Sequence, residues 1–248
     1  IARHILEHAS DLPEFMKGIR ALLNRDGYAL FEVPDYTKAF EQFDYSTIWE
    51  EHTLYFTPYT LKNCLLSGKF SIEMFEIYKY PIENSLAAIV KPANIITALT
   101  DKNTLQKENT KALIFSQEFV KRKEKVKSFF SEYKQQQGKV AIFGAGHSSC
   151  LLVNILGLKG EIELIIDDNA NKQGMFMPGS CLKIASPSAL LNGSIKLCIL
   201  SVNPNAEEEI IAKNKHFVKT GGKFLSFCPA SEISLWNYLK HPDGINLK

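Results

Sequence analysis

The first residues carry a pattern of apolar and polar positions that predicts a helix between two extended segments. Apolar side chains recur at three- and four-residue spacing after Asp11, which can cap a helix, and Pro13, which fits a first turn. The run 28–33 predicts a strand, and Pro34 ends it. With the apolar stretch at 1–10 in front, this order is typical of a parallel sheet.

The next elements predict an antiparallel hairpin. A helix is expected from 57 to 68, followed by strands at 70–80 and 86–90. The connection 81–85 is too short for a crossover, which favours antiparallel pairing.

The second half begins with a long helix and continues as alternating strands and helices. Residues 103–137 contain neither glycine nor proline, and their aromatic side chains recur at helical spacing. Further elements are predicted as strands 139–143, 163–166, 197–202 and 223–227 and helices 148–156 and 206–213. This alternation predicts an α/β fold with a parallel sheet.

The composition narrows the classes of partner that the protein is expected to bind. The 248 residues include 29 basic and 27 acidic side chains, which gives a net charge of +2. This charge is too small to indicate binding to the phosphate backbone of a nucleic acid. No apolar run approaches the roughly 18 residues of a membrane span. Five widely spaced cysteines without a Cys-x-x-Cys pair are typical of reduced thiols. We expect a cytoplasmic protein that acts on small molecules, with neither nucleic acid nor a membrane as partner.

A glycine turn follows strand 139–143 and opens a helix, the setting in which backbone amides hold a phosphate. Gly144 and Gly146 match the first two glycines of a dinucleotide fingerprint, whereas Ser149 stands at the third. Asp167 ends the next strand, where a ribose-binding acid would stand. A strand-to-helix corner that needs small residues explains the turn equally well, and both interpretations stay open.

Residues 4–8, His-Ile-Leu-Glu-His, match the H-x-x-E-H pattern of inverted zinc peptidases. That chemistry needs a helix that holds both imidazoles on one face, and a third ligand. Ser10, Asp11 and Pro13 interrupt such a helix at once, and no later helix supplies an obvious acid. The sequence therefore predicts no metal site.

Residues 49–56, Trp-Glu-Glu-His-Thr-Leu-Tyr-Phe, combine acids, a histidine and aromatic side chains in one loop. His52 is a candidate general base, and a neighbouring carboxylate would orient its ring and raise its basicity. A polar loop whose aromatic rings pack under the sheet is the competing interpretation.

These stretches resemble the C-terminal half of class I S-adenosylmethionine-dependent methyltransferases. The resemblance rests on Leu-Glu-His at 6–8, Gly-Tyr at 27–28 and Phe-Glu-Val-Pro-Asp at 31–35. Residues 49–56 and the Asn84-Ser85 turn narrow it to the sugar C-methyltransferases. The second half is similar to that group's C-terminal domain at 143–146, 167–169, 172–174 and 178–179.

The resemblance implies a partial class I methyltransferase Rossmann-like sheet followed by a second Rossmann-like α/β domain. The implied segments are half of a catalytic domain (1–98), a connecting helix (99–137), a Rossmann-like C-terminal domain (138–232) and a tail (233–248).

Members of that group methylate a carbon next to the ketone of a nucleotide-linked keto-sugar through an enolate. The resemblance implies that His52 is the base, that Glu51 is its acidic neighbour, and that His8 donates to the enolate oxygen. Trp49 stands where the family often has a tyrosine, and Val202 precedes Asn203 where the family has tryptophan. Candidate substrate-binding residues are Trp49, Tyr55, Ser85, Gly144, Gly146, Asp167 and Asn203.

The implied cofactor is S-adenosylmethionine, whose Gly-x-Gly-x-Gly loop lies upstream of the Leu-Glu-His stretch in the family. No such loop occurs in the 248 residues, and the sequence begins with Ile1 rather than Met. We therefore expect a fragment of a longer enzyme that is inactive alone and binds the cofactor weakly or not at all.

Two other functions stay open at this point. An NAD(P)-dependent oxidoreductase would use the turn at Gly144, although Ser149 replaces the third glycine. A non-catalytic sugar-nucleotide binding protein would use the same domains without turnover.

Overall fold

Two β-sheets organise the chain, each with its own hydrophobic core. The structure, a computed structural model, describes residues 1–80, 82–94 and 101–240. One unit comprises residues 1–43 and 47–116, and the other comprises 44–46 and the residues from 117 onward.

The first unit is built on a four-stranded sheet. Its elements are β1 (Ala2–Arg3), α1 (Leu12–Leu22), β2 (Ala29–Asp35), α2 (Thr37–Gln42), α3 (Pro58–Ser67), β3 (Phe70–Tyr78) and β4 (Asn84–Pro92). The strands lie in the order β1-β2-β4-β3, with β1 parallel to β2 and the other pairs antiparallel. The carboxyl ends of β1 and β2 and the amino end of β4 therefore meet at one edge.

Local signals place the two longer helices of this unit as predicted. The Asp11 carboxylate accepts a hydrogen bond from the Glu14 N–H at 3.0 Å, and Pro13 lies in the first turn of α1. Thr57 and Thr60 form a capping box at the start of α3. Both helices pack on fully buried side chains of the sheet such as Phe31.

The hairpin forms as predicted, but the assignment of Asn84 and Ser85 to its turn is wrong. Both residues belong to β4, where Ser85 pairs with Pro34 of β2 and Tyr78 of β3. Strand pairing on both sides extends β4 beyond the residues whose own pattern favours a strand.

The predicted long helix is α4 (Lys102–Gln136). Its beginning belongs to the first unit and its remainder to the second. In the second unit, Val126 and Phe130 of α4 are fully buried. The structure thus divides the chain within this helix, and the four sequence-based segments remain a prediction.

The second unit has a parallel five-stranded sheet with the strand order β7-β6-β5-β8-β9. After α4 its elements are β5 (Lys139–Phe143), α5 (His147–Leu156), β6 (Ile162–Ile166), β7 (Ile184–Ala185), β8 (Ile195–Leu200), α6 (Glu207–Lys213), α7 (Lys215–Lys219), β9 (Lys223–Ser226) and α8 (Leu235–Lys240). Helices between parallel strands confirm the predicted α/β class, and the chain has a Rossmann-like architecture.

The sequence also made predictions about the cysteines, membrane-spanning helices and the C-terminal segment. All five cysteines are free thiols, as predicted. None of the described helices has the length and apolar character needed to cross a bilayer. The short helix predicted around Trp236 is α8, and the predicted polar tail beyond it lies outside the described residues.

Candidate active site

The predicted catalytic loop is held against the chain that follows β1. The N–H groups of Thr53 and Leu54 donate to the Glu7 carbonyl oxygen at 2.9 and 3.1 Å, and the Thr53 hydroxyl donates to the Ala9 carbonyl oxygen at 2.9 Å. At the other end of the loop, the Tyr36 N–H donates to the Phe56 carbonyl oxygen at 2.9 Å. The loop therefore lies at the carboxyl ends of β1 and β2, the usual place for ligands in such sheets.

This attachment brings His8 and His52 together. Their ring centroids are 4.6 Å apart and their planes meet at 86°. The His8 Nδ1–H can donate to the Glu51 carbonyl oxygen, 3.1 Å away, because a carbonyl oxygen only accepts. The two histidines that the resemblance placed in the active site are thus neighbours, and their catalytic roles remain predictions.

Glu7 is the acidic side chain buried beside them. Its carboxylate is fully buried, and neither of its oxygens accepts a hydrogen bond from the part of the chain that the structure describes. The nearest basic nitrogen is His4 Nδ1, 3.4 Å from Glu7 Oε1. Glu7 thus brings a buried carboxyl group without a hydrogen-bond donor to the two histidines.

Glu51, the predicted acidic neighbour of His52, is exposed, and it meets the site through its backbone carbonyl group. Burial lowers the pKa of His52, while the carboxylate of Glu7, and to a smaller extent that of Glu51, acts in the opposite direction. The carboxylates thus act on the basicity of His52 in the predicted direction, but desolvation is the larger effect and the pKa is lowered overall.

His52 has three aromatic side chains around it, those of Tyr36, Trp49 and Tyr55. The Tyr36 hydroxyl lies 2.7 Å from His52 Nδ1 and 3.1 Å from the Thr47 carbonyl oxygen. The Tyr55 ring packs edge-on against Tyr36 with centroids 4.5 Å apart, and its hydroxyl donates to the Trp49 carbonyl oxygen. Burial raises the pKa of both tyrosines, which keeps their hydroxyl groups protonated.

Tyr55 also lines a cavity of about 640 Å³ between α1 and α3. Apolar side chains such as Met16 and Leu54 form much of its wall, and Arg20 contributes a charged group. Tyr55, a predicted substrate-binding residue, thus borders this cavity.

Ser85 belongs to a polar group at the same edge of the sheet. Its hydroxyl donates to Glu32 Oε1 at 3.2 Å, and the Arg3 guanidinium binds both oxygens of Glu32. The hydrogen bond from Arg3 holds the pKa of Glu32 below its usual value. His4 Nε2 lies 3.8 Å from Glu32 Oε1, so the group continues to Glu7.

One set of side chains has the composition of a metal site. Glu7, His8 and His52 each offer a ligand atom, and these atoms lie within 4.8 Å of one another. Two imidazoles and a carboxylate could hold a divalent transition metal. Residues 4–8 form no α-helix, as expected, and the third donor comes from the loop rather than from a later helix.

The glycine turn of the second unit has its amides paired within the chain. The Gly144 N–H donates to the Ile166 carbonyl oxygen at 2.7 Å, the Ala145 N–H to Asp167 Oδ2 at 2.7 Å, and the Gly146 N–H to the Ser149 hydroxyl at 3.2 Å. A phosphate at these amides would have to displace the carboxylate or the hydroxyl. Phosphate binding by Gly144 and Gly146 therefore stays a prediction. The Ser149 hydroxyl accepts the hydrogen bond from the Gly146 N–H and so stabilises the turn.

Asp167 holds this turn to the loop that follows β6. It accepts from the Asn169 N–H at 2.8 Å, and Lys172 Nζ donates to its Oδ2 at 3.1 Å and to the Ala145 carbonyl oxygen at 2.9 Å. Gln173 donates to the Asp167 carbonyl oxygen. Side-chain contacts of Asp167, Lys172 and Gln173 thus hold the glycine turn against this loop, and a ribose contact by Asp167 remains a prediction.

Replacing Asp167 with asparagine is expected to destabilise the second unit by about 1–2 kcal/mol near pH 7. Burial acts to raise the pKa of Asp167, but hydrogen bonds from two N–H groups and from Lys172 prevail and lower it. The ionised form therefore stabilises the fold above about pH 4, and this contribution is lost as the pH falls through the folded-state pKa. Urea unfolding at several pH values measures the difference.

The control is Asp168→Asn, which removes the same charge from an exposed neighbour. It should change the free energy of unfolding little at any pH. Equal losses of unfolding free energy for the two variants would contradict this stabilising role of Asp167.

Asn203, the last predicted substrate-binding residue, caps a short 3₁₀ turn. Its side chain accepts a hydrogen bond from the Asn205 N–H at 3.0 Å. This contact explains an asparagine three residues after β8 without a ligand, and a role in binding remains a prediction.

Sequence reasoning missed Glu7 and Tyr36 as members of the site. Glu7 belongs to the H-x-x-E-H pattern and to the Leu-Glu-His stretch, and neither pattern predicts that its carboxyl group is buried beside the two histidines. Tyr36 directly follows β2, and a polar group at the carboxyl end of a buried strand is a general signal for a site.

Comparison with known proteins identifies relatives of both halves. Residues 91–229 match the family described as C-methyltransferase C-terminal domain, and residues 1–107 match a methyltransferase domain family. The C-methyltransferase NovU of Streptomyces niveus is 28% identical over 244 residues, covering 93% of this chain and 57% of that protein. The chain thus spans little more than half the length of this curated relative.

Proposed function

The chain belongs to the C-methyltransferase family, and from that premise we propose that it serves methyl transfer to a nucleotide-linked keto-sugar. Its first unit would remove a proton from the carbon next to the ketone. The observation that carries this proposal is the position of His52 at the carboxyl edge of the sheet, against His8 and the buried Glu7 carboxylate.

His52 is the proposed base. In this step an unprotonated imidazole nitrogen takes the proton, the C–H electron pair becomes the new carbon–carbon π bond, and the carbonyl π pair moves to oxygen. Burial lowers the pKa of His52, which keeps the ring neutral and able to accept a proton near pH 7. The imidazolium that forms is then close to the Glu7 carboxylate.

His8 is the proposed donor to the enolate oxygen. Since its Nδ1–H faces the Glu51 carbonyl oxygen, Nε2 can donate only when the ring is an imidazolium. The carboxyl group of Glu7 lies within 4.8 Å of the ligand nitrogen of His8. A charged donor aimed at the developing oxyanion is the arrangement that the reaction needs.

Trp49, Tyr55 and Ser85 are proposed to contact the sugar in the first unit. Gly144, Gly146, Asp167 and Asn203 are proposed to contact the substrate in the second. Trp49 and Tyr55 offer aromatic faces beside His52, each with its ring centroid 6.2 Å from that of the histidine.

S-adenosylmethionine supplies the methyl group in this family, but the residues present do not fit a complete cofactor site. The 248 residues contain no Gly-x-Gly-x-Gly turn, and the amides of the turn at Gly144 are already paired. The role proposed for this chain is therefore limited to the substrate and its proton.

Titration calorimetry of the chain with S-adenosylmethionine is expected to give no binding in the micromolar range. The physical reason is that the sequence lacks the glycine turn through which the family holds the cofactor. Micromolar affinity would contradict this expectation and would place a cofactor site on the residues present.

Proton removal can be tested apart from methyl transfer. In D₂O, a base that takes this proton exchanges it for deuterium, and no cofactor is required. Exchange at the carbon beside the ketone, followed by proton NMR, therefore tests the proposal.

A fluorescence titration with NADH tests the oxidoreductase alternative. That alternative predicts saturable binding of NADH, whereas the proposal predicts no binding.

A further inference from the structure

The Tyr36 hydroxyl occupies a defined place between a backbone acceptor and the proposed base. Tyr36 follows β2 directly and is only 2% exposed. Its oxygen lies 3.1 Å from the Thr47 carbonyl oxygen and 2.7 Å from His52 Nδ1. The contact with His52 Nδ1 has a usual N–H···O distance, and the contact with the Thr47 carbonyl oxygen is a somewhat long O–H···O hydrogen bond.

The chemistry of the two neighbours decides where the protons lie. The Thr47 carbonyl oxygen can only accept, so the phenolic proton of Tyr36 belongs to that contact. If the phenol instead donated to His52, two oxygen atoms would face each other at 3.1 Å with no proton between them. The Tyr36 oxygen therefore accepts, and His52 Nδ1 carries the hydrogen.

A neutral imidazole has a single N–H group. With Nδ1 protonated, Nε2 of His52 carries the lone pair. We propose that Tyr36 is a positioning residue, which fixes His52 in the Nδ1–H tautomer and so makes Nε2 the atom that takes the substrate proton. This inference rests on the proposed function for its consequence, but the tautomer itself can be measured without substrate.

The inference also explains how a site with Trp49 in place of a tyrosine retains a phenol at its histidine. The Trp49 ring is tilted 32° to that of His52 with centroids 6.2 Å apart, and an indole N–H can only donate. It cannot accept from His52 Nδ1, whereas the Tyr36 hydroxyl can. The phenol thus reaches the histidine from the end of β2 instead of from the loop.

Tyr55 provides a matched control within the same aromatic cluster. Its ring is 6.2 Å from that of His52, and its hydroxyl donates to the Trp49 carbonyl oxygen at 3.2 Å. Tyr55→Phe removes a hydroxyl group from the cluster as Tyr36→Phe does. It leaves the hydrogen bond at His52 Nδ1 in place.

The test is long-range proton–nitrogen NMR on the chain with ¹⁵N-labelled histidine, at a pH where His52 is neutral. His52→Ala identifies the signals. In the wild-type chain we expect the Nδ1–H tautomer to dominate. Tyr36→Phe should produce a substantial fraction of the Nε2–H tautomer, and Tyr55→Phe should leave the ratio unchanged.

A dominant Nε2–H tautomer in the wild-type chain would overturn the inference without the need for any variant. An unchanged ratio in Tyr36→Phe would overturn it as well. If deuterium exchange is observed, Tyr36→Phe should slow it about 10- to 100-fold with little change in sugar affinity, as the loss of an orienting partner does elsewhere. Absence of exchange in every form contradicts the proposed function and leaves the tautomer measurement to decide on Tyr36.

Discussion

Replacing His52 with alanine is expected to slow deuterium exchange beside the ketone of a nucleotide-linked keto-sugar by about 10²- to 10⁴-fold, the usual contribution of a positioned general base. The reason is that the proposed proton acceptor is lost, while the proposed sugar contacts of Trp49 and Tyr55 are retained. Affinity for the sugar should therefore change much less than the exchange rate. Proton NMR of the sugar in D₂O measures the rate.

His216→Ala is the matched control, because His216 is an exposed histidine of α7 in the other unit. It should exchange at the wild-type rate. If His52→Ala retained that rate as well, His52 would lose the role of base, and a different proton acceptor at this edge of the sheet would be required.

Gly144→Ala is expected to destabilise the second unit by about 2–4 kcal/mol. Gly144 has a φ of +110°, a conformation that is strained for any residue with a side chain. An added Cβ would lie 2.5 Å from the Ser201 carbonyl oxygen and 2.9 Å from Val202 Cγ1. Urea unfolding followed by the fluorescence of Trp236, buried in the same unit, measures the loss.

Gly146→Ala tests whether this cost belongs to the position or to the turn. Gly146 has an extended backbone, and an added Cβ would meet nothing within 4 Å. The change in unfolding free energy should stay within about 1 kcal/mol, which covers the weaker capping by alanine. Comparable losses of stability for the two variants would contradict the claim that the backbone conformation and close contacts at Gly144 require glycine.

The sequence predicts the elements whose signals are local. α1 has its cap and apolar stripe, and α4 has 35 residues without glycine or proline. β1 and β7 have two residues each and exist through pairing with a neighbouring strand, so their own sequence carries too little pattern. The extension of β4 to Asn84 depends in the same way on partners in β2 and β3.

The candidate site shows the same limit. The composition of residues 49–56 pointed to His52 and the resemblance to His8, and the structure places the two rings in contact. The resemblance implied Glu51 as the acidic neighbour of His52, but the loop exposes Glu51, while Glu7 is buried beside the rings. Contacts between β2, the loop and the turn after β1 decide such questions, and no spacing along the chain encodes them.

The most direct test of the proposed function is the exchange of the wild-type chain itself. A nucleotide-linked keto-sugar is incubated with the chain in D₂O, without S-adenosylmethionine, and followed by proton NMR. The account predicts that the signal of the hydrogen on the carbon next to the ketone disappears faster than in buffer, while the other carbon-bound hydrogens keep their intensity. A sugar that binds to the chain yet keeps this signal at the buffer rate would contradict it.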